Sequence, residues 1–278
     1  MRLDTICLRP YNRLMKFGQW LFNGILSIAA IAIGLALSIG FSFPLPSAHS
    51  ARPEKEVPSG MVLIPAGPFW MGIDKLPPDT PWGQEDAKPK HEVFLPDFFI
   101  DRTEVTYGDY KKVDPKLKIP GRTDPYPVTD VTWFEADNYC RSIGKRLPTE
   151  AEWEKAARGT DGRAYPWGSG FDPKKTNVGA APMPVGATPG DRSPYGVLDM
   201  AGNVSEWTDS WYQPYPGNKY PSPDYGLLQK VVRGGSFNVN RHYADEMFAQ
   251  VTFRNYNRPD VSGPDNGFRC ALSAEKPK

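Results

Sequence analysis

A chain of 278 residues accommodates one large domain or two small ones, and its 33 basic against 32 acidic side chains, a net charge of +1, exclude a nucleic acid as the expected partner. Gly (26) and Pro (30) are frequent but follow no period, which excludes a collagen and, with 13% aromatic residues, points to a loop-rich globular core. The only cysteines are Cys7, Cys140 and Cys270, too few for a disulfide-dense scaffold or a four-cysteine zinc site.

The chain opens with a basic tail, residues 1–19, containing Arg2, Arg9, Arg13 and Lys16. Residues 20–43, from Trp20 to Phe43, carry no charge, and roughly 20 apolar residues suffice to cross a bilayer as a helix. The next basic side chain after them is that of Arg52. The excess of positive charge before the apolar run predicts a single-pass anchor with a cytoplasmic N-terminus and a periplasmic or otherwise non-cytoplasmic C-terminal domain. The competing reading is a signal peptide cleaved among the small residues Ser47–Ala51. Both readings carry the C-terminal domain out of the cytosol.

Residues 44–58, with prolines, small residues and charges, read as a linker. The globular domain spans residues 59–278. Met61–Pro65 and Glu92–Leu95 are predicted strands, the second running on towards Phe98–Ile100. Thr132-Trp133-Phe134-Glu135 is a capping box whose helix stops at Gly144, and Thr149-Glu150-Ala151-Glu152 is a second one, closing near Gly159. Glu150, Glu152 and Glu154 are expected to cap or solvate that second helix. Beyond it Gly and Pro punctuate the chain densely, so the fold class is α+β with much irregular structure.

The stretch Gly144-Lys145-Arg146-Leu147-Pro148-Thr149-Glu150-Ala151-Glu152-Trp153-Glu154 is long and particular. Tyr165-Pro166-Trp167-Gly168, Asp199-Met200-Ala201-Gly202-Asn203-Val204-Ser205-Glu206-Trp207, Arg233-Gly234-Gly235-Ser236-Phe237 and Gly267-Phe268-Arg269-Cys270 come after it in order. This series, over roughly residues 60–273, resembles the formylglycine-generating enzyme (sulfatase-modifying factor) family. The resemblance implies a single loop-rich domain similar to a variant C-type lectin fold.

Active members of that family oxidise a substrate cysteine with a pair of copper-binding thiolates. Aligning Arg254 and Pro259-Asp260 with the family pattern puts the two thiolate positions on Glu246 and Val251. Val has no ligand atom and Glu is a hard oxygen donor, so copper is not expected. Other members act in ergothioneine synthesis, with an iron-binding His cluster on a separate domain, or in periplasmic siderophore maturation. Here only His49, His91 and His242 exist. An iron site from His91 and His242 competes with the blander reading of a strand-edge and a groove histidine. Asn203-Val204-Ser205 matches a glycosylation sequon by coincidence of spacing.

What the resemblance carries over is calcium. It implies side-chain ligands from Asp199 and Glu206 and carbonyls from Gly202 and Val204, against the alternative that this loop packs without metal. A second family site begins at Asn177-Val178, but its distal segment has no counterpart here. Arg241, His242, Tyr243, Asp245, Glu246, Arg254 and Tyr256 match the region where the family binds its peptide substrate, and suit an ordinary solvated loop nearly as well. The family also joins the cysteine of the first capped helix to that of the closing Gly-Phe-Arg-Cys, which implies a Cys140–Cys270 disulfide; two buried free thiols are the alternative. Two functions remain: a calcium-stabilised binding or accessory module for an envelope protein or peptide, or an oxidase or maturation enzyme of altered chemistry.

Overall fold

The computed structural model describes residues 55–75, 84–116, 123–179, 181–237 and 245–274. The expected tail, the anchor or signal peptide at 20–43 and most of the linker lie outside the described residues. Among the described residues no helix is long and apolar enough to cross a membrane.

The first predicted strand is β1 (Met61–Ile64). It is followed by β2 (Gly67–Met71), which pairs antiparallel with β3 (His91–Leu95) as a two-stranded sheet. The expected continuation into Phe98–Ile100 is a separate strand, β4 (Phe98–Asp101). Pro96 offers no ladder donor, and the Asp97 carboxylate takes the Ala66 amide at 2.5 Å, turning the chain from one sheet to the next.

Both predicted capping boxes form. Thr132 opens α2 (Trp133–Ser142) and Thr149 opens α3 (Glu150–Arg158), each with reciprocal bonds to the Glu three residues on. Gly159, at φ 71°, ends α3. A short helix outside the sequence-based expectations, α1 (Tyr107–Val113), starts where Thr106 accepts from the Asp109 amide. Its signal was the Thr-x-x-Asp spacing.

The C-terminal half builds β5 (Ser205–Trp211), β6 (Lys230–Arg233), the turn-length α4 (Asp245–Phe248), β7 (Arg254–Asn257), β8 (Asn266–Gly267) and β9 (Ala271–Ser273). One sheet has the order β7-β6-β5-β8, with β8 parallel to β5. In the other, β4 lies between β1 and β9, so the first and last strands share one partner. The Cys140–Cys270 disulfide, with Cα atoms 5.7 Å apart, ties α2 to the residue before β9. It sits in a core with Tyr110, Tyr139, Leu147, Trp207 and Phe268. A second core packs Val62, Ile64, Phe98 and Ile100 against Trp153, Ala156 and Ala157 of α3. The expected α+β, loop-rich fold is what forms.

Candidate functional site

Val251, the second thiolate position, is fully buried in the core beneath α3. Its amide donates to Ala164 O at 2.9 Å and its carbonyl accepts from Arg233 Nη2 at 2.6 Å. Glu246, the first position, is exposed on α4, and Tyr165 Oη donates to its carbonyl at 3.2 Å. The two positions that the resemblance aligns with the thiolate pair therefore hold a surface carboxylate and a packing residue.

The acids of α3 correct the expectation that they cap or solvate. Glu152 does close its capping box and pairs with Arg146 at 2.6 Å. Glu150 and Glu154, however, are 5% and 0% exposed. One turn apart, they face inward together, and three arginines meet them, two from distant strands and one from the end of α3 itself. Arg233 donates to Glu154 at 2.6 Å and to Glu150 at 3.2 Å. Arg158 donates to Glu154 at 2.7 Å and Arg254 to Glu150 at 2.7 and 3.1 Å. The helix is buried on almost every side, so its charges are neutralised by partners rather than by water. Burial pushes the Glu150 carboxyl up, but Arg254 and Arg233 outweigh it and hold the group below its ordinary value.

Arg254, expected to line the family's peptide-binding region, has its guanidinium engaged by partners within the fold. Besides Glu150 it donates to Asp86 O and Gln213 O, and it lies 4.1 Å from the Tyr215 ring centroid. It helps line a cavity of about 240 Å³, together with Glu85, Asp86, Tyr212, Phe248, Phe253 and Tyr256. Tyr256, predicted for the groove, stacks on Tyr212 at 4.1 Å and donates to Asp224 at 2.8 Å. Burial first, and then Asp224, push its phenol up to about 12. Asp86 accepts from Tyr212 Oη at 2.8 Å, and burial raises its carboxyl above the usual range despite Arg254. Asp86 and Tyr212 escaped sequence reading because they come from segments far from residues 241–256. Arg241, His242 and Tyr243 lie outside the described residues. The cavity is thus aromatic-walled, with two acids, Glu85 and Asp86, and no thiol among its described lining residues.

The calcium segments meet in space. A Cβ on Gly202 would stand 2.7 Å from Asn177 O, and Asn203 N donates to that same carbonyl at 2.8 Å. The Asn177 side chain is fully engaged, donating to Ala181 O and Asn203 Oδ1 and accepting from the Gly179 amide. Val178 packs with Tyr165 and Ala201, and Val204 is fully buried. Both oxygens of Glu206 are committed, to Arg269 at 2.7 Å each and to Trp153 Nε1 at 2.9 Å. Three of its roughly four acceptor sites are thereby filled, which leaves little room for a metal. Asp199 fits better: one of its oxygens accepts from the Gly186 amide, and its side chain meets Glu104. Glu104 is 2% exposed; Asn203 serves its Oε1 at 3.0 Å, and its Oε2 has no partner. Burial and Asp199 push the Glu104 carboxyl well up, and burial raises Asp191 to about 8. A buried carboxylate oxygen with no donor beside a second carboxylate calls for a proton or a cation.

His91 Nδ1 lies 2.9 Å from Pro89 O and its ring meets Tyr215 edge-on, a strand-edge histidine; His242 lies outside the described residues. Asn203 is 2% exposed and hydrogen-bonded, so its sequon is closed to a glycan.

A profile of the family described as "Sulfatase-modifying factor enzyme 1-like domain" matches residues 47–274. The chain is 39% identical to the bovine "Inactive C-alpha-formylglycine-generating enzyme 2", over 78% of this chain and 89% of that protein. It is 32% identical to the hercynine oxygenase of Mycolicibacterium smegmatis, over 76% of this chain and 60% of that one. Among solved structures, PvdO from Pseudomonas aeruginosa superposes with a TM-score of 0.62 at 27% identity, over 77% of this chain and 94% of that one.

Proposed function

Because the chain belongs to the sulfatase-modifying factor enzyme 1-like domain family yet has no thiolate at the positions for copper, we propose that it is an envelope-anchored binding or accessory module. It is stabilised by calcium and does not generate formylglycine by copper chemistry. The single observation that carries this reading is Val251, a ligandless side chain sealed in the core where the second thiolate belongs. The two described cysteines are consumed by their disulfide. The aromatic cavity beside Arg254 receives a segment of an envelope protein or peptide, and the N-terminal apolar run holds the chain in a membrane.

Calcium is held by Asp199 with the free oxygen of Glu104 and carbonyls of the Gly202–Val204 loop. Its contribution is to cancel buried negative charge and fix irregular backbone. The test is incubation of the purified full chain and copper with a sulfatase-type cysteine peptide. No aldehyde product above a control without protein is expected by mass spectrometry; clear product overturns the reading. The similarity to a hercynine oxygenase favours the second reading, an oxidase or maturation enzyme acting outside the cytoplasm. Stoichiometric iron or copper in the purified protein would support it, and calcium alone the module.

A further inference from the structure

The β2–β3 hairpin shows two unlike faces. Phe69 and Met71 point inward, onto Tyr215 with Val93 and Leu95. The outward positions are Pro68, Trp70, Glu92 and Phe94. Trp70 is 44% exposed and Phe94 68%. The register sets Pro68 opposite Phe94 and Trp70 opposite Glu92, so the two aromatic rings are diagonal neighbours. Lys90 Nζ sits 5.1 Å from the Trp70 ring centroid.

A two-stranded sheet alone is marginal, but this one is held from behind. Arg158 of α3 donates to Trp70 O and Gly72 O, each at 3.0 Å, and Lys155 donates to Gly67 O at 2.9 Å. Buried cations therefore fix the strand that displays Trp70. The rings are presented by a rigid support rather than by a loop tip.

The chain enters the described structure close to the end of β3. Lys55 Nζ pairs with Asp97 at 2.8 Å, and Asp97 is three residues beyond Phe94. Between the expected end of the anchor at Phe43 and Lys55, the backbone reaches at most about 40 Å. On the anchored reading, that short tether keeps the hairpin within reach of the bilayer holding the chain. At such an effective concentration even a contact of low intrinsic affinity is populated.

We propose that the Trp70–Phe94 face of the β2–β3 hairpin rests on the headgroup layer of the bilayer that carries the chain's own anchor, and so sets the orientation of the domain. Aromatic rings with an adjacent lysine suit the membrane–water interface. Glu92, on the same face, keeps the contact shallow by remaining in the polar layer. This contact rests on the anchored reading of the N-terminal apolar run.

The test uses the full chain in lipid nanodiscs with Cys7→Ser, a nitroxide on Pro68→Cys, which shares this face and leaves Glu92 in place, and oxygen and a water-soluble nickel complex as relaxants. A several-fold higher oxygen-to-nickel accessibility ratio than in detergent is expected, lost in Trp70→Ser and, independently, in Phe94→Ser. Unchanged melting temperatures establish that both variants fold. A label equally exposed to the nickel complex in every case, with the chain retained in membranes at high salt, overturns the proposal alone. A label shielded only in native membranes, and not in pure lipid, assigns the face to a protein partner and also overturns it. Release of the parent chain by high salt overturns the anchored reading and this proposal together.

Discussion

Glu206 and Arg269 face each other completely buried, joined by two hydrogen bonds of 2.7 Å, one to each carboxylate oxygen. The side chain that the family resemblance nominates as a calcium ligand is here the counterion of an arginine. Glu104, beside Asp199, is left with a buried carboxylate oxygen that no donor reaches.

Chelation should therefore lower the melting temperature of the protein, since an ion bound to the native state alone stabilises it by mass action. Glu104→Gln and Asp199→Asn should each abolish most of the chelator effect. Glu206→Ala should instead destabilise by about 3–5 kcal/mol with and without chelator, because it strands a buried guanidinium. Thermal melts of the three variants with and without chelator check this; a chelator effect lost only in Glu206→Ala would restore that residue as the ligand.

The Glu150–Arg254 pair predicts a pH-dependent penalty. The Glu150 carboxyl is held below its ordinary value in the folded protein, so its contribution is present above the unfolded value and lost as pH falls through the folded one. Arg254→Met removes the leading favourable charge and lets burial dominate, which reverses the sign. The loss of stability should then be about 3–5 kcal/mol near neutrality and smaller near pH 5, where protonation relieves Glu150. Urea unfolding at the two pH values measures it, and equal losses would count against the assignment.

Gly202→Ala should destabilise the fold by roughly 1–3 kcal/mol or more. Its Cβ would stand 2.2 Å from Thr176 Oγ1 and 2.7 Å from Asn177 O, and the carbonyl has no rotamer by which to withdraw. Denaturant midpoints of the variant and parent give the comparison.

The Cys140–Cys270 bond closes a loop with a sequence separation of 130. The chain-entropy model assigns such a loop roughly 4–5 kcal/mol. Reduction, or Cys140→Ser, should lower stability by a large part of that amount. Thiol counting on the denatured, unreduced full chain should find Cys7 as the one reactive thiol.

Local signals were legible in the sequence wherever the interacting groups are near neighbours along the chain. The capping boxes of α2 and α3 need only a Thr and a Glu three residues apart, and Gly159 needs only its own backbone freedom. The family motifs carried the disulfide and the loss of both thiolates. Tertiary structure alone decided the fate of the charges. Glu150 meets Arg233 and Arg254 across sequence separations of 83 and 104, and Glu206 meets Arg269 across 63. An acid on a helix looks the same in sequence whether water or a guanidinium compensates it. Which one does depends on how completely the folded chain excludes solvent from that side of the helix, and in α3 that exclusion comes from β2, β5 and β6 and from the core residues of β1 and β4, elements drawn from both ends of the domain.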